Sequence, residues 1–197
     1  MAFGITQVEE CNPSFDPLPS IVGTAAHTWM QSAAEHANKV LGRQRWLIEH
    51  RVTVAPGLSG SCDLFDTDTG TVIDWKFPGA TRFDMYKKHM SPVYQGQSHL
   101  YGLGFENEGR QVNTVVVALL PRGGYLKGMH LWKEPYSRSL ALECLSRREK
   151  VIGLCDDLQV EANPQGYQWI PIEPYDCRFC PFFRAEPRSP YECGGKQ

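Results

Sequence analysis

Between Ile21 and about Leu41, the residues Val22, Ala26, Trp29, Ala33, Ala37 and Val40 recur at spacings of three and four, the period of one helix face. This predicts an amphipathic helix. From Arg45 onward the period shortens to two: WLIEHRVTV alternates, GLSGSCDLFD follows a Pro-Gly turn, and TVIDWKF follows Asp-Thr-Gly. Three strands in an antiparallel meander are expected there. A turn at Pro78-Gly79 leads into a short polar helix, and SPVYQGQSHLYGLGF predicts another, with Pro92 in its first turn and Gly96, Gly102 and Gly104 weakly opposing it. VNTVVVALL is a continuous β-branched run suited to a fully buried strand, and YLKGMHLW is its expected partner after Gly123-Gly124. A long helix from about Ser137 to Val160 would carry Leu140, Cys144, Val151, Cys155 and Leu158 inward. After Asn163 the chain is rich in Pro, aromatics and Cys and loses its period. The order of elements predicts an α/β (α+β) fold with a central mixed sheet and helices packed on it.

Composition narrows the setting. A chain of 197 residues fits a single domain that buries a real core. With 42% hydrophobic residues and no apolar run long enough to span a bilayer, membrane insertion is not expected. The opening residues, MAFGITQVEECNPSFDPLPS, lack the basic and apolar regions of a secretory signal, so a cytoplasmic location is expected. Seven cysteines in that setting point to metal binding or buried thiols rather than a disulfide framework. A net charge of -2 argues against coating nucleic acid by charge alone, so any such contact must be local. The basic groups at Arg82, Lys87, Lys88 and His89, and at Arg147, Arg148 and Lys150, read as solvated faces.

TVIDWKF places an acid and a base two positions apart inside an apolar strand. Alternation puts Asp74 and Lys76 on one face and Ile73, Trp75 and Phe77 on the other. Asp63 precedes them on the adjacent strand of the hairpin, so the two carboxylates converge as hard oxygen ligands suited to magnesium or manganese. A lysine beside such a metal could orient a water and stabilise charge developing on a phosphate. Alone, an exposed Asp-Lys pair is a common surface feature of small consequence. On the first helix, His27 lies four residues after Gly23, which would leave room beside the imidazole. Gln97 and Tyr101 share one face of the later helix.

In chain order these features are GTAAH (Gly23 to His27), GSCD (Gly60 to Asp63), DWK (Asp74 to Lys76) and QSHLY (Gln97 to Tyr101). Together they resemble the PD-(D/E)xK nuclease superfamily and its RecB-type branch, which the Gln-x-x-x-Tyr helix distinguishes. The resemblance covers about residues 23 to 101. It implies a restriction-endonuclease-like core in which Asp63, Asp74 and His27 bind the metal, the Trp75 carbonyl completes its shell and Lys76 is the catalytic lysine. Gln97 and Tyr101 would support the site or contact the substrate backbone. Glu35 and Glu49 are weaker candidates without a firm role.

Cys177 and Cys180 form a C-x-x-C pair, Cys193 follows, and Cys11 lies upstream of the first helix. Four thiolates suit structural zinc or an iron–sulfur cluster, and spacing alone does not choose. RecB-type nucleases of the AddB kind and the CRISPR-associated Cas-four family carry one cysteine before the histidine helix and three near the C-terminus. The resemblance therefore implies that Cys11, Cys177, Cys180 and Cys193 hold a 4Fe-4S cluster. The interval of twelve residues between Cys180 and Cys193 is longer than the usual family spacing. Cys62, Cys144 and Cys155 read as buried small hydrophobes.

One nuclease domain over residues 1–197 is expected, with a catalytic core over 20–135 and the termini, 1–19 and 163–197, joined by the cysteines. The function implied is a metal-dependent DNA exonuclease acting on single-stranded DNA, with 5′-to-3′ polarity favoured by the resemblance. Its likeness to stand-alone, often phage-encoded members suggests work in host cytoplasm beside recombination or CRISPR-adaptation proteins, and toroidal relatives leave a homo-oligomer open. The alternatives are a cluster-bearing DNA-binding or partner-docking subunit with an inactive site, and a zinc-stapled structural domain.

Overall fold

The computed structural model describes residues 10–11, 18–171 and 180–195. The chain divides into two compact units, one spanning Leu18–Cys144 and the other combining residues 1–17 with 145–197. The first unit contains helix α1 (Leu18–Leu41), strands β1 (Trp46–Ala55), β2 (Leu58–Asp66) and β3 (Thr71–Lys76), helices α2 (Ala80–Lys88) and α3 (Pro92–Asn107), and strands β4 (Thr114–Leu119) and β5 (His130–Pro135). Helix α4 (Arg138–Asp157) follows.

The five strands form one sheet in chain order. All neighbours are antiparallel except β3 and β4, which run parallel because α2 and α3 carry the chain back over the sheet. The expected meander and the mixed sheet are both present. Val115, Val117 and Leu119 of β4 are completely buried, as a β-branched run between two paired neighbours should be.

Two layers cover the sheet. Met30 and Ala34 of α1 pack on a cluster of Leu64, Trp75, Ala118 and Leu120, joined by Trp46, Ile48, Ile73 and Phe77. The period expected for α1 is therefore right and its phase is not: Val22, Trp29 and Val40 are exposed. The face turned to the sheet also carries bonds to the residues just beyond the helix. Asn38 accepts the N–H groups of Arg45 and Trp46 through Oδ1 and donates to the Trp46 carbonyl.

Helix α3 packs against β1, β2, β3 and β4. Its glycines, which oppose helix formation locally, are required by close approach. A Cβ on Gly104 would lie 2.5 and 2.6 Å from Val52, and one on Gly102 would lie 2.6 Å from the Tyr136 ring. Phe105 can then stack on Phe65, with ring centroids 4.1 Å apart. The contact has more value to the fold than the helix propensity it sacrifices.

The alternation of β1 also departs from the simple reading. Trp46 and Ile48 face the α1 layer while Val52 meets α3, so the faces reverse between them. The same reversal occurs on β2 between Gly60, beside Tyr101, and Leu64. At its centre stands Glu49, with φ of 48°, in the left-handed region that a glutamate rarely adopts.

In the second unit the tail is joined through its backbone. Cys11 N–H donates to the Pro181 carbonyl at 2.9 Å, Cys193 N–H to Phe182 at 2.7 Å, and Arg184 N–H to Cys193 at 3.0 Å. Arg184 also pairs with Glu192. No described helix is long and apolar enough to cross a membrane.

Gly104→Ala is expected to lower unfolding free energy by about 1–3 kcal/mol, because the new methyl group must displace Val52. Urea unfolding measures this, and the cost should shrink in a Val52→Ala background, where the obstructing side chain is gone.

Candidate metal centre

The site begins where two strands part. The β2–β3 ladder ends at the pair Leu64 and Ile73, and one step beyond it lie Asp63 and Asp74. Without a main-chain partner there, the Trp75 N–H donates 2.7 Å to Asp63 Oδ2. A side chain thus replaces a ladder carbonyl, which satisfies a buried donor and fixes the carboxylate. The N–H and C=O of one strand residue leave by the same edge, so the Trp75 carbonyl is aimed toward the gap as well. Lys76 shows the opposite edge, since its carbonyl accepts Leu120 N–H at 2.8 Å. The Trp75 indole packs in the α1-side core, as its place in the alternation requires.

From α1, His27 Nδ1 lies 3.4 Å from Asp63 Oδ1. Its ring meets Phe77 edge-on, with centroids 5.4 Å apart. The hydrogen bond that His27 donates to the Asp63 carboxylate is the main reason its pKa is raised above 6.5, against the opposing effect of burial. Gly23 makes no room for a neighbour: a Cβ there would meet nothing within 4 Å.

Among the described residues, one set of three His, Cys, Asp or Glu donors falls within 4.8 Å of one another: His27, Glu49 and Asp63. Asp63 is buried, His27 half-buried and Glu49 exposed, so this set opens to solvent on its Glu49 side. Burial, then the Asp63 charge, raises the Glu49 pKa. Glu49 had little in the sequence to recommend it; only its place opposite Asp63 in the hairpin register could have singled it out. Glu35 does not join the group and instead accepts from Gln31 on the exposed side of α1.

Asp74 and Lys76 do share the face opposite Trp75. That face is not an open one, because α3 covers it and leaves Asp74 2% exposed. Lys76 Nζ lies 2.5 Å from the buried Asp74 Oδ2 and forms an ion pair with it. The ammonium also sits 5.0 Å from the Tyr94 ring centroid. Burial, opposed by Lys76 and reinforced by Asp63, raises the Asp74 pKa from 3.8 to about 6.

Gln97 and Tyr101 meet as their spacing requires, with Gln97 Nε2 2.9 Å from the Tyr101 hydroxyl. Burial pushes the phenol up to about 12, so it remains a neutral donor. Tyr101 lies directly over β2: a Cβ on Gly60 would come within 3.0 Å of its ring. The glycine of GSCD is therefore the seat of the tyrosine of QSHLY. Between them in sequence, His99 is completely buried, accepting Ser137 N–H through Nδ1 and meeting Glu134 through Nε2 at 2.6 Å. It braces α3 against β5 and was not singled out from the sequence.

The donor chemistry fits a divalent cation: an imidazole and two carboxylates, those of His27, Glu49 and Asp63, offer donor atoms within 4.8 Å of one another, while Asp74 lies outside that set. The cysteines are a different matter. Cys177 lies outside the described residues. Among the described ones, Cys11, Cys180 and Cys193 do not form a compact donor set. Cys11 Sγ is directed to the Phe183 carbonyl at 3.7 Å, and Cys193 Sγ accepts Gly195 N–H at 3.4 Å. Cys62 is fully buried, and burial raises its thiol pKa well above 9.0, so it behaves as an inert core residue. Cys144 and Cys155 are only half-buried. No family model, curated protein or solved structure matches this chain.

The raised Asp74 pKa has a definite sign. Between 3.8 and about 6 the folded chain retains a proton that the unfolded chain has released, so stability falls as pH rises through that window and the penalty persists above it. Asp74→Asn should therefore stabilise metal-free protein near neutral pH by on the order of 2–3 kcal/mol. Denaturant melts at a series of pH values should show this gain shrinking between about pH 6 and pH 4.

Proposed function

We propose that the protein is a metal-dependent deoxyribonuclease of the RecB-type PD-(D/E)xK class, hydrolysing phosphodiester bonds in single-stranded DNA as an exonuclease. The observation that carries the reading is the convergence of all four short motifs on one gap in the sheet. His27 meets Asp63, Asp63 takes the Trp75 N–H, Asp74 pairs with Lys76, and Tyr101 rests on Gly60. A surface ion pair would call for none of these companions.

In this reading His27, Asp63, Asp74 and the Trp75 carbonyl hold magnesium or manganese. The cation, when bound, supplies positive charge to a phosphate oxygen and lowers the pKa of a coordinated water. Lys76, anchored at Asp74, orients the attacking water and stabilises charge developing on the phosphate. Tyr101 stays protonated, so its hydroxyl can donate to a backbone oxygen of the substrate while Gln97 holds it in place. The Phe77 ring holds the His27 imidazole edge-on from the apolar side.

The cysteines complete the proposal. A 4Fe-4S cluster on Cys11, Cys177, Cys180 and Cys193 would fasten a tail whose described part is tied by a few backbone bonds. Structural zinc is the competing occupant. The 5′-to-3′ polarity, and roles in recombination, DNA processing or spacer acquisition, follow from the same resemblance.

The test is anaerobic purification, metal analysis, and digestion of end-labelled single-stranded DNA with magnesium or manganese. Parent protein should shorten the strand, while Asp74→Ala and Lys76→Ala should each lose about a hundredfold or more in rate with circular dichroism unchanged. If the parent degrades nothing, or both variants keep pace with it, the enzyme reading is lost. Bound iron that falls in Cys180→Ala supports the cluster, whereas zinc in its place removes it.

A further inference from the structure

We propose that Glu49 is itself a ligand of the site's divalent cation, so that His27, Glu49 and Asp63 form a three-donor set. This deepens the metal-dependent reading of the same site and rests on it.

The donor atoms of the three side chains lie within 4.8 Å of one another. A manganese or magnesium ion with bonds of about 2.0–2.3 Å can touch donors spread over that span with small adjustments. Asp63 contributes Oδ1, because its Oδ2 already holds the Trp75 N–H. His27 contributes Nδ1, the atom nearest that oxygen. Glu49 supplies a carboxylate that, among the described residues, has no hydrogen-bond or ion-pair partner of its own. Its exposure gives an ion a route in.

The backbone provides independent support. Glu49 has φ of 48° within β1, while the register continues on either side through Ile48 with Leu64 and His50 with Cys62. Nothing in the pairing count calls for an extra residue there. A glutamate in the left-handed region is strained, and such strain persists where the surroundings hold a side chain to a purpose. Here it accompanies the reversal of faces and leaves the carboxylate beside Asp63 and His27. A nitrogen ligand with two carboxylates also suits manganese better than magnesium, which prefers an all-oxygen shell.

The experiment is titration of full-length protein with manganese alone, reading free Mn2+ by electron paramagnetic resonance, with melting temperature recorded in chelator. Glu49→Gln keeps the shape and removes the charge; it should weaken manganese binding at least about tenfold without lowering the metal-free melting temperature. Glu49→Gly relieves the backbone; it should weaken manganese equally yet raise the metal-free melting temperature by about 2–4 °C. Glu35→Gln, on the exposed side of α1, serves as a control that should retain manganese. If Glu49→Gln binds within fivefold of the parent, or the parent binds no manganese, the proposal is overturned. A Glu49→Gly variant no more stable than the parent removes the strain argument. Manganese bound through Glu49 by a protein that cuts no DNA would sink the nuclease reading and leave this ligand set standing; DNA cleavage with manganese binding indifferent to Glu49 would do the reverse.

Discussion

The Trp75 N–H to Asp63 Oδ2 bond closes the gap left where β2 and β3 stop pairing, and the rest of the site is arranged around it. A buried main-chain donor without a partner would cost on the order of 1–3 kcal/mol, so the carboxylate cannot leave without consequence. With Asp63 held by β3, its other oxygen faces His27, and Asp74 is held one position away on the same strand. The core on the far side completes the restraint, because the Trp75 indole is packed with Leu64, Ala118 and Leu120. Packing and chemistry are coupled through a single residue.

Helix α3 supplies the second restraint by lying close to the sheet. Glycine at positions 60 and 104 permits that approach, which places Tyr101 over β2 and excludes water from Asp74. Lys76 only partly compensates the burial of Asp74, whose pKa stays raised beside it. Ion pairs of this kind contribute little to folding and can oppose it.

The α1 layer leaves a different kind of surface. Val22, Ala26, Trp29 and Met30 line a groove of about 310 Å³ with Phe77 and Leu120. The helix carries a wider apolar arc than the sheet can cover, which is why its period was legible and its orientation was not. The cysteines show a similar division. Their grouping at the two ends of the chain is visible in the sequence, while the backbone ties among Cys11, Pro181, Phe183 and Cys193 emerge only on folding.

Periodicity located most of the elements, because a strand or a helix must present one face to a core and the pattern of side chains records it, but the strand expected over YLKGMHLW begins only at His130, after a 3-10 turn at Leu126–Gly128. The ordered motifs also determined which polar residues to compare: His27, Asp63, Asp74, Lys76, Gln97 and Tyr101 all lie around one part of the sheet. What only the tertiary structure decided were phase and proximity. The buried face of α1 bonds through Asn38 to residues just beyond the helix, and the glycines of α3 make sense only against Val52 and Tyr136. Glu49 is the plainest case. Its left-handed backbone is a property of neither glutamate nor a strand, so no local pattern could announce it, and its place beside His27 and Asp63 depends on three elements meeting at one point.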